Sequence, residues 1–122
     1  MQSEVAMKIV LVVATLHLGF MLAELFPWPN SILLRNMLAK MPNERFSSIQ
    51  LDLLANVVRN AGIYNGIVAG GLFYCARAGD FAAARVLLIG VVAAGIFGAV
   101  TLKSYIPVGQ ALLGLVGYLW LR

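Results

Sequence analysis

Residues Asn60 to Gly71 read NAGIYNGIVAGG. Glycines stand at 62, 66 and 70, every fourth position, so on a helix they form one ridge without side chains. In lipid, ridges of this kind let a second helix approach closely. Asn60, Tyr64 and Asn65 interrupt a run that is otherwise as apolar as a membrane helix. Asn60 and Tyr64 share a face roughly 160–200° around from Gly62, and Asn65 lies about 60° from Gly62 on its other side. The stretch therefore has a face for packing and a separate set of polar groups that need a reason to be there.

Composition names the solvent. Of 122 residues, 61% are hydrophobic and 11% charged, whereas soluble domains are nearer half apolar and a quarter charged. A bilayer is the expected solvent, with one integral membrane domain over residues 1–122. Spanning it takes roughly 20 mostly apolar residues in a helix. Four segments qualify, at about 5–26, 57–76, 81–102 and 106–121. The first is followed by Pro27 and Pro29, and the last closes on Tyr118, Trp120 and Arg122, as an interfacial belt would. Lys8 and the apolar run after it resemble a signal peptide. The run continues through FMLAELFPW (20–28) with no small-residue cleavage pattern, so it reads as a retained first helix.

Between the first two spans, NSILLRNMLAKM (30–41) carries Ile32, Leu33, Met37 and Met41 at helical spacing against Arg35, Asn36 and Lys40. It predicts an amphipathic interfacial helix over about 31–41. SSIQLDLLANVV (47–58) then restarts a helix outside the hydrocarbon, with Ser47 or Ser48 as its cap. The fold expected is an all-α, four-transmembrane-helix bundle with that interfacial helix between helices one and two. Cations divide four against five between the two sides, which sets no orientation. The third helix offers Ala94 and Gly98 as a small-residue partner for Gly62, Gly66 and Gly70, a ridge that would equally serve a homo-oligomer.

The same composition removes several function classes. The net charge of +4 comes from scattered cations, so nucleic acid is not an expected partner, while membrane lipid is. Cys75 is the sole cysteine and His17 the sole histidine, so no disulfide, cysteine metal site or multi-histidine site can form within one chain. No phosphate-binding loop or nucleophile triad is present. No metal and no cofactor is expected.

Depth gives the functional signal. Glu24 is near the loop end of helix one, and His17 is seven residues earlier on the same face, ~10 Å away along the axis. Asn60, Tyr64 and Asn65 enter from that side on helix two, Thr101 ends helix three there, and Gln110 lies early in helix four. All seven map to one half of the membrane. Ionisable groups in a membrane are costly and face a partner or a watery cavity. A one-sided polar pocket for a lipophilic small molecule follows, with His17 and Glu24 as an acid–base pair. Asn60, Tyr64, Asn65, Thr101 and Gln110 would bind the ligand. Isomerisation or cyclisation of an isoprenoid or sterol-like substrate suits such a site. A proton-coupled transporter using Glu24, or a structural subunit of a larger membrane complex, are the alternatives.

LHLGFMLAELFPW (16–28), NAGIYNGIVAGGL (60–72) and AGIFGAVTLKSYIPVGQALLGLVG (94–117), in this order and spacing, resemble a family of small bacterial four-helix membrane proteins known only as domain of unknown function 1304. The family pattern falls on His17, Glu24, Phe26, Trp28, Asn60, Gly62, Tyr64, Asn65, Gly66, Gly95, Ile96, Gly98 and Gln110, and through it Trp28 joins the candidate ligand-binding residues. The chain departs from the pattern in its connecting loop and in lacking a proline shortly after Gln110. The resemblance implies the four-helix fold and a multi-pass location in the bacterial inner membrane. It implies no activity.

Overall fold

The computed structural model describes residues 2–26, 38–40, 45–102 and 104–121. Among the described residues the chain is all α, with four helices: α1 (Gln2–Leu25), α2 (Ser48–Ala78), α3 (Phe81–Leu102) and α4 (Tyr105–Trp120). Apart from residues 38–40, the expected interfacial helix lies outside the described residues. Two helical stretches, Glu4–Leu25 and Phe81–Leu102, are long and apolar enough to cross a membrane. At 31 residues α2 exceeds the length of a span, and α4 is a shorter apolar helix of 16 residues.

The helix ends follow from local chemistry. Ser47 caps α2 in a reciprocal box with Gln50: its backbone N–H donates to Gln50 Oε1 at 2.9 Å, and the Gln50 N–H donates to Ser47 Oγ at 3.3 Å. The helix thus begins nine residues before the apolar stretch at 57. At its other end Gly79 takes φ +70°, a left-handed value that glycine adopts without steric cost. The Asp80 N–H then reaches back to Cys75 O at 3.0 Å and closes the last turn. Asp80 also starts α3, because its carboxylate accepts from the Ala83 N–H at 3.0 Å. Two residues therefore stop one helix and start the next. Ser104 caps α4, and Pro107 lies in the first turn, where a missing N–H costs nothing.

The chain divides into two compact units, Met1–Leu16 with Val68–Arg122, and His17–Ile67. The first has a core of Val10, Val13 and Ala14 from α1, Leu72, Cys75 and Ala76 from α2, and Ala84, Leu88 and Val91 from α3. Its tightest seam joins α3 to α4. A Cβ on Gly95 would stand 2.6 Å from Ala111 N and 2.7 Å from Pro107 O, so the α4 backbone lies directly on this glycine. Gly114 of α4 returns the contact against Val91 and Leu88, and Gly117 does so against Leu88 and Ile9. Gly95 meets Pro107 and Ala111 while Gly114 meets residues nearer the start of α3, so the two helices run antiparallel. Small residues fill the seam, and large apolar ones such as Val86, Phe97 and Val100 point outward, each about 70% exposed.

The second unit pairs the end of α1 with the first five turns of α2. Ala55 and Val58 are its buried apolar residues on α2.

The α3–α4 seam ranks substitutions. Gly95→Ala sets a methyl against backbone that cannot rotate away, so its cost should reach or exceed the top of the ~1–3 kcal/mol range for overpacking. Gly109→Ala, where a Cβ meets nothing within 4 Å, should be neutral. Thermal unfolding in detergent followed by helical circular dichroism checks the order.

Candidate functional site

One face of α1 carries His17, Met21 and Glu24, at i, i+4 and i+7. On α2, Gly62 and Gly66 meet that face. A Cβ on Gly62 would lie 3.0 Å from Glu24 Cβ, 3.2 Å from Leu25 Cγ and 3.3 Å from the Met21 carbonyl oxygen. A Cβ on Gly66 would lie 2.5 Å from Met21 Sδ. The two helices are therefore packed so closely that a side chain at position 62 would push its α1 neighbours back by a few tenths of an ångström.

That closeness gives a short side chain its reach. Asn65, on the flank of the glycine ridge, donates from Nδ2 to Glu24 Oε2 at 2.8 Å. Both residues are half-buried. The bond ties α1 to α2 and uses one oxygen of the carboxyl group. His17 is 2% exposed, and its ring meets Phe20 edge-on, with centroids 5.8 Å apart at 81°.

The remaining expected site residues are placed differently. Asn60 is exposed, and Tyr64 is 62% exposed. Thr101 donates its hydroxyl to Phe97 O of its own helix at 2.8 Å, which satisfies it locally. Thr101 and the half-buried Gln110 belong to the first unit, whereas His17, Glu24, Asn60, Tyr64 and Asn65 belong to the second. Trp28 lies outside the described residues. Among those residues, no three His, Cys, Asp or Glu side chains gather as metal ligands would.

The glycine ridge also resolves differently. Gly62 and Gly66 face α1, and at Gly70 a Cβ would meet nothing within 4 Å. Gly98 faces Pro107 of α4, with that residue's Cβ at 3.1 Å, and Ala94 is exposed. Crossing helices diverge after about two turns, so a ridge of three glycines need not be covered along its length. Sequence reasoning passed over Gly114 and Gly117. Their signal is the Gly-x-x-Gly spacing, which recurs at 95 and 98.

The family model described as "Protein of unknown function (DUF1304)" matches residues 11–121. No curated protein and no solved structure matches the chain.

The two glycines at the site should respond unequally. Gly66→Ala meets a thioether that can swing aside, whereas Gly62→Ala meets Cβ and backbone. Gly62→Ala should lower the apparent Tm more, and its effect should not add to that of Asn65→Ala, because both break one contact. A thermal-melt double-mutant cycle in detergent reads this directly.

Proposed function

The chain belongs to the DUF1304 family of proteins of unknown function, and we propose that it is a four-span membrane protein that binds a lipophilic small molecule at the Glu24–Asn65 pair and acts on it by acid–base chemistry. The observation that carries this reading is the 2.8 Å bond from Asn65 to Glu24. It joins a carboxyl group at the end of a helix apolar enough to cross a membrane to an amide on the neighbouring helix.

Stability alone does not call for such a pair. Hydrogen bonds between membrane helices recover about 0.6 kcal/mol on average and under ~2 at most. A leucine at position 24 would cost nothing to insert, whereas a carboxyl group is expensive at depth. A residue that stability does not require is the natural candidate for chemistry. Asn65 fixes one carboxyl oxygen and leaves the other to exchange a proton with a ligand. His17, two turns deeper on the same α1 face, supplies a second titratable group. Asn60 and Tyr64 are exposed on the face of α2 turned away from the Gly62 contact, so the pair's ligand contacts do not include them.

The outward-facing apolar side chains support the four-span arrangement. At 1.5 Å per residue, α2 is ~46 Å long, so its polar first turns extend beyond a ~30 Å hydrocarbon layer. The 16 residues of α4 reach ~24 Å, which a locally thinned bilayer and the interfacial Trp120 accommodate.

Extraction of what co-purifies with protein purified gently in detergent, read by mass spectrometry, tests the proposal. Wild type should retain a defined small hydrophobe that Glu24→Gln and Asn65→Ala both lose while keeping their helicity. No ligand in any sample, with both variants unfolding, would leave the pair as a structural staple and overturn the reading.

A further inference from the structure

Arg85 is the only charged residue of α3, and it lies far from the pair just described in the sequence and in the other compact unit. It is one helical turn in from Phe81, ~6 Å along the axis. A cation at this depth of a spanning helix ordinarily extends to water. Arg85 instead folds against α4. Its Nη2 donates to the Tyr118 hydroxyl at 3.3 Å, and its guanidinium carbon stands 4.9 Å from the centre of the Tyr118 ring. Its Nε is buried without a hydrogen-bond partner. No carboxylate among the described residues pairs with it, and the nearest in sequence, Asp80, is engaged in capping α3.

A half-buried guanidinium fixed by an aromatic face and a hydroxyl, with no counter-charge from the protein, is a donor fork awaiting an anion. The Gly79–Asp80 turn and the aromatic end of α4 flank it, as they would at a headgroup boundary. The abundant anion at that boundary is the lipid phosphate. We infer that Arg85, oriented by Tyr118, binds the phosphate group of an anionic membrane lipid beside the start of α3 and the end of α4. The inference rests on α3 crossing a membrane, which is part of the reading above, but not on any ligand at Glu24.

Native mass spectrometry of the full chain, exchanged from neutral detergent into mixtures of phosphatidylglycerol and phosphatidylcholine, tests it. Wild type should retain phosphatidylglycerol in preference to phosphatidylcholine. Arg85→Gln should lose that preference by about tenfold, as loss of one charge-assisted contact implies. Arg85→Lys should retain part of it, Tyr118→Phe should weaken it, and Arg59→Gln, an exposed cation of the other unit, should leave it unchanged. Because the readout is a ratio of two lipids, a variant that merely misfolds loses both and is recognised by its circular dichroism. An unchanged ratio in folded Arg85→Gln, or displacement of the lipid by millimolar inorganic phosphate, overturns the lipid site. Protein that stays monodisperse without detergent overturns the membrane reading itself.

Discussion

At Gly62 a hydrogen atom stands where any other residue would place carbon against Glu24 Cβ and the Met21 carbonyl oxygen. The candidate site depends on that vacancy. An asparagine side chain is short, and it reaches a carboxyl group on another helix only if the two backbones nearly touch. The same constraint recurs at Gly95, where the α4 backbone occupies the space a side chain would need. Helices in lipid gain little from burying apolar surface, since the solvent is equally apolar. In the proposed four-span reading, backbone proximity, with the dispersion contacts it permits, takes over the role that a large hydrophobic core has in water.

The polar residues then sort by how they are satisfied. Thr101 returns its hydroxyl to its own helix, as Thr15 does to Leu11 O at 2.8 Å. Neither needs a second helix. Asn65 and Glu24 need each other, and Arg85 needs Tyr118. These last two contacts each commit a costly group to a particular helix–helix geometry, and the charged residue of each, Glu24 and Arg85, sits within about one turn of a helix end. In the reading proposed above, that places both groups where a ligand entering from the membrane surface would meet them.

Much of this was legible in the sequence because its signals are local. Apolar runs that give way to Pro27, to Gly79–Asp80 and to Lys103–Ser104 delimit the helices, and Ser47 with Gln50 is a capping box readable three residues apart. Grouping residues by depth put Glu24 and Asn65 in the same half of the membrane. It could not say that they bond, because a depth carries no azimuth. The partner of the glycine ridge was illegible for a related reason: spacing shows that some helix comes close, while which one does depends on the packing of all four. Ala94 and Gly98 had the right spacing to meet Gly62 and Gly66, yet Gly98 packs against Pro107 in the first turn of α4. The Arg85–Tyr118 contact joins residues 33 apart, and no local pattern reports the rotation of α4 that brings them together.

The function proposed for this chain depends on Asn65 and Glu24 being bonded across two close-packed helices in the bilayer. Solid-state NMR of the full chain in lipid, with 15N in asparagine side chains and 13C in glutamate carboxyl groups, measures it most directly. A bonded pair gives a dipolar coupling corresponding to less than ~4.5 Å, as a hydrogen bond between amide nitrogen and carboxyl oxygen requires, and that coupling disappears in Asn65→Ala. A wild-type spectrum without that coupling, or one unchanged by the substitution, would contradict it.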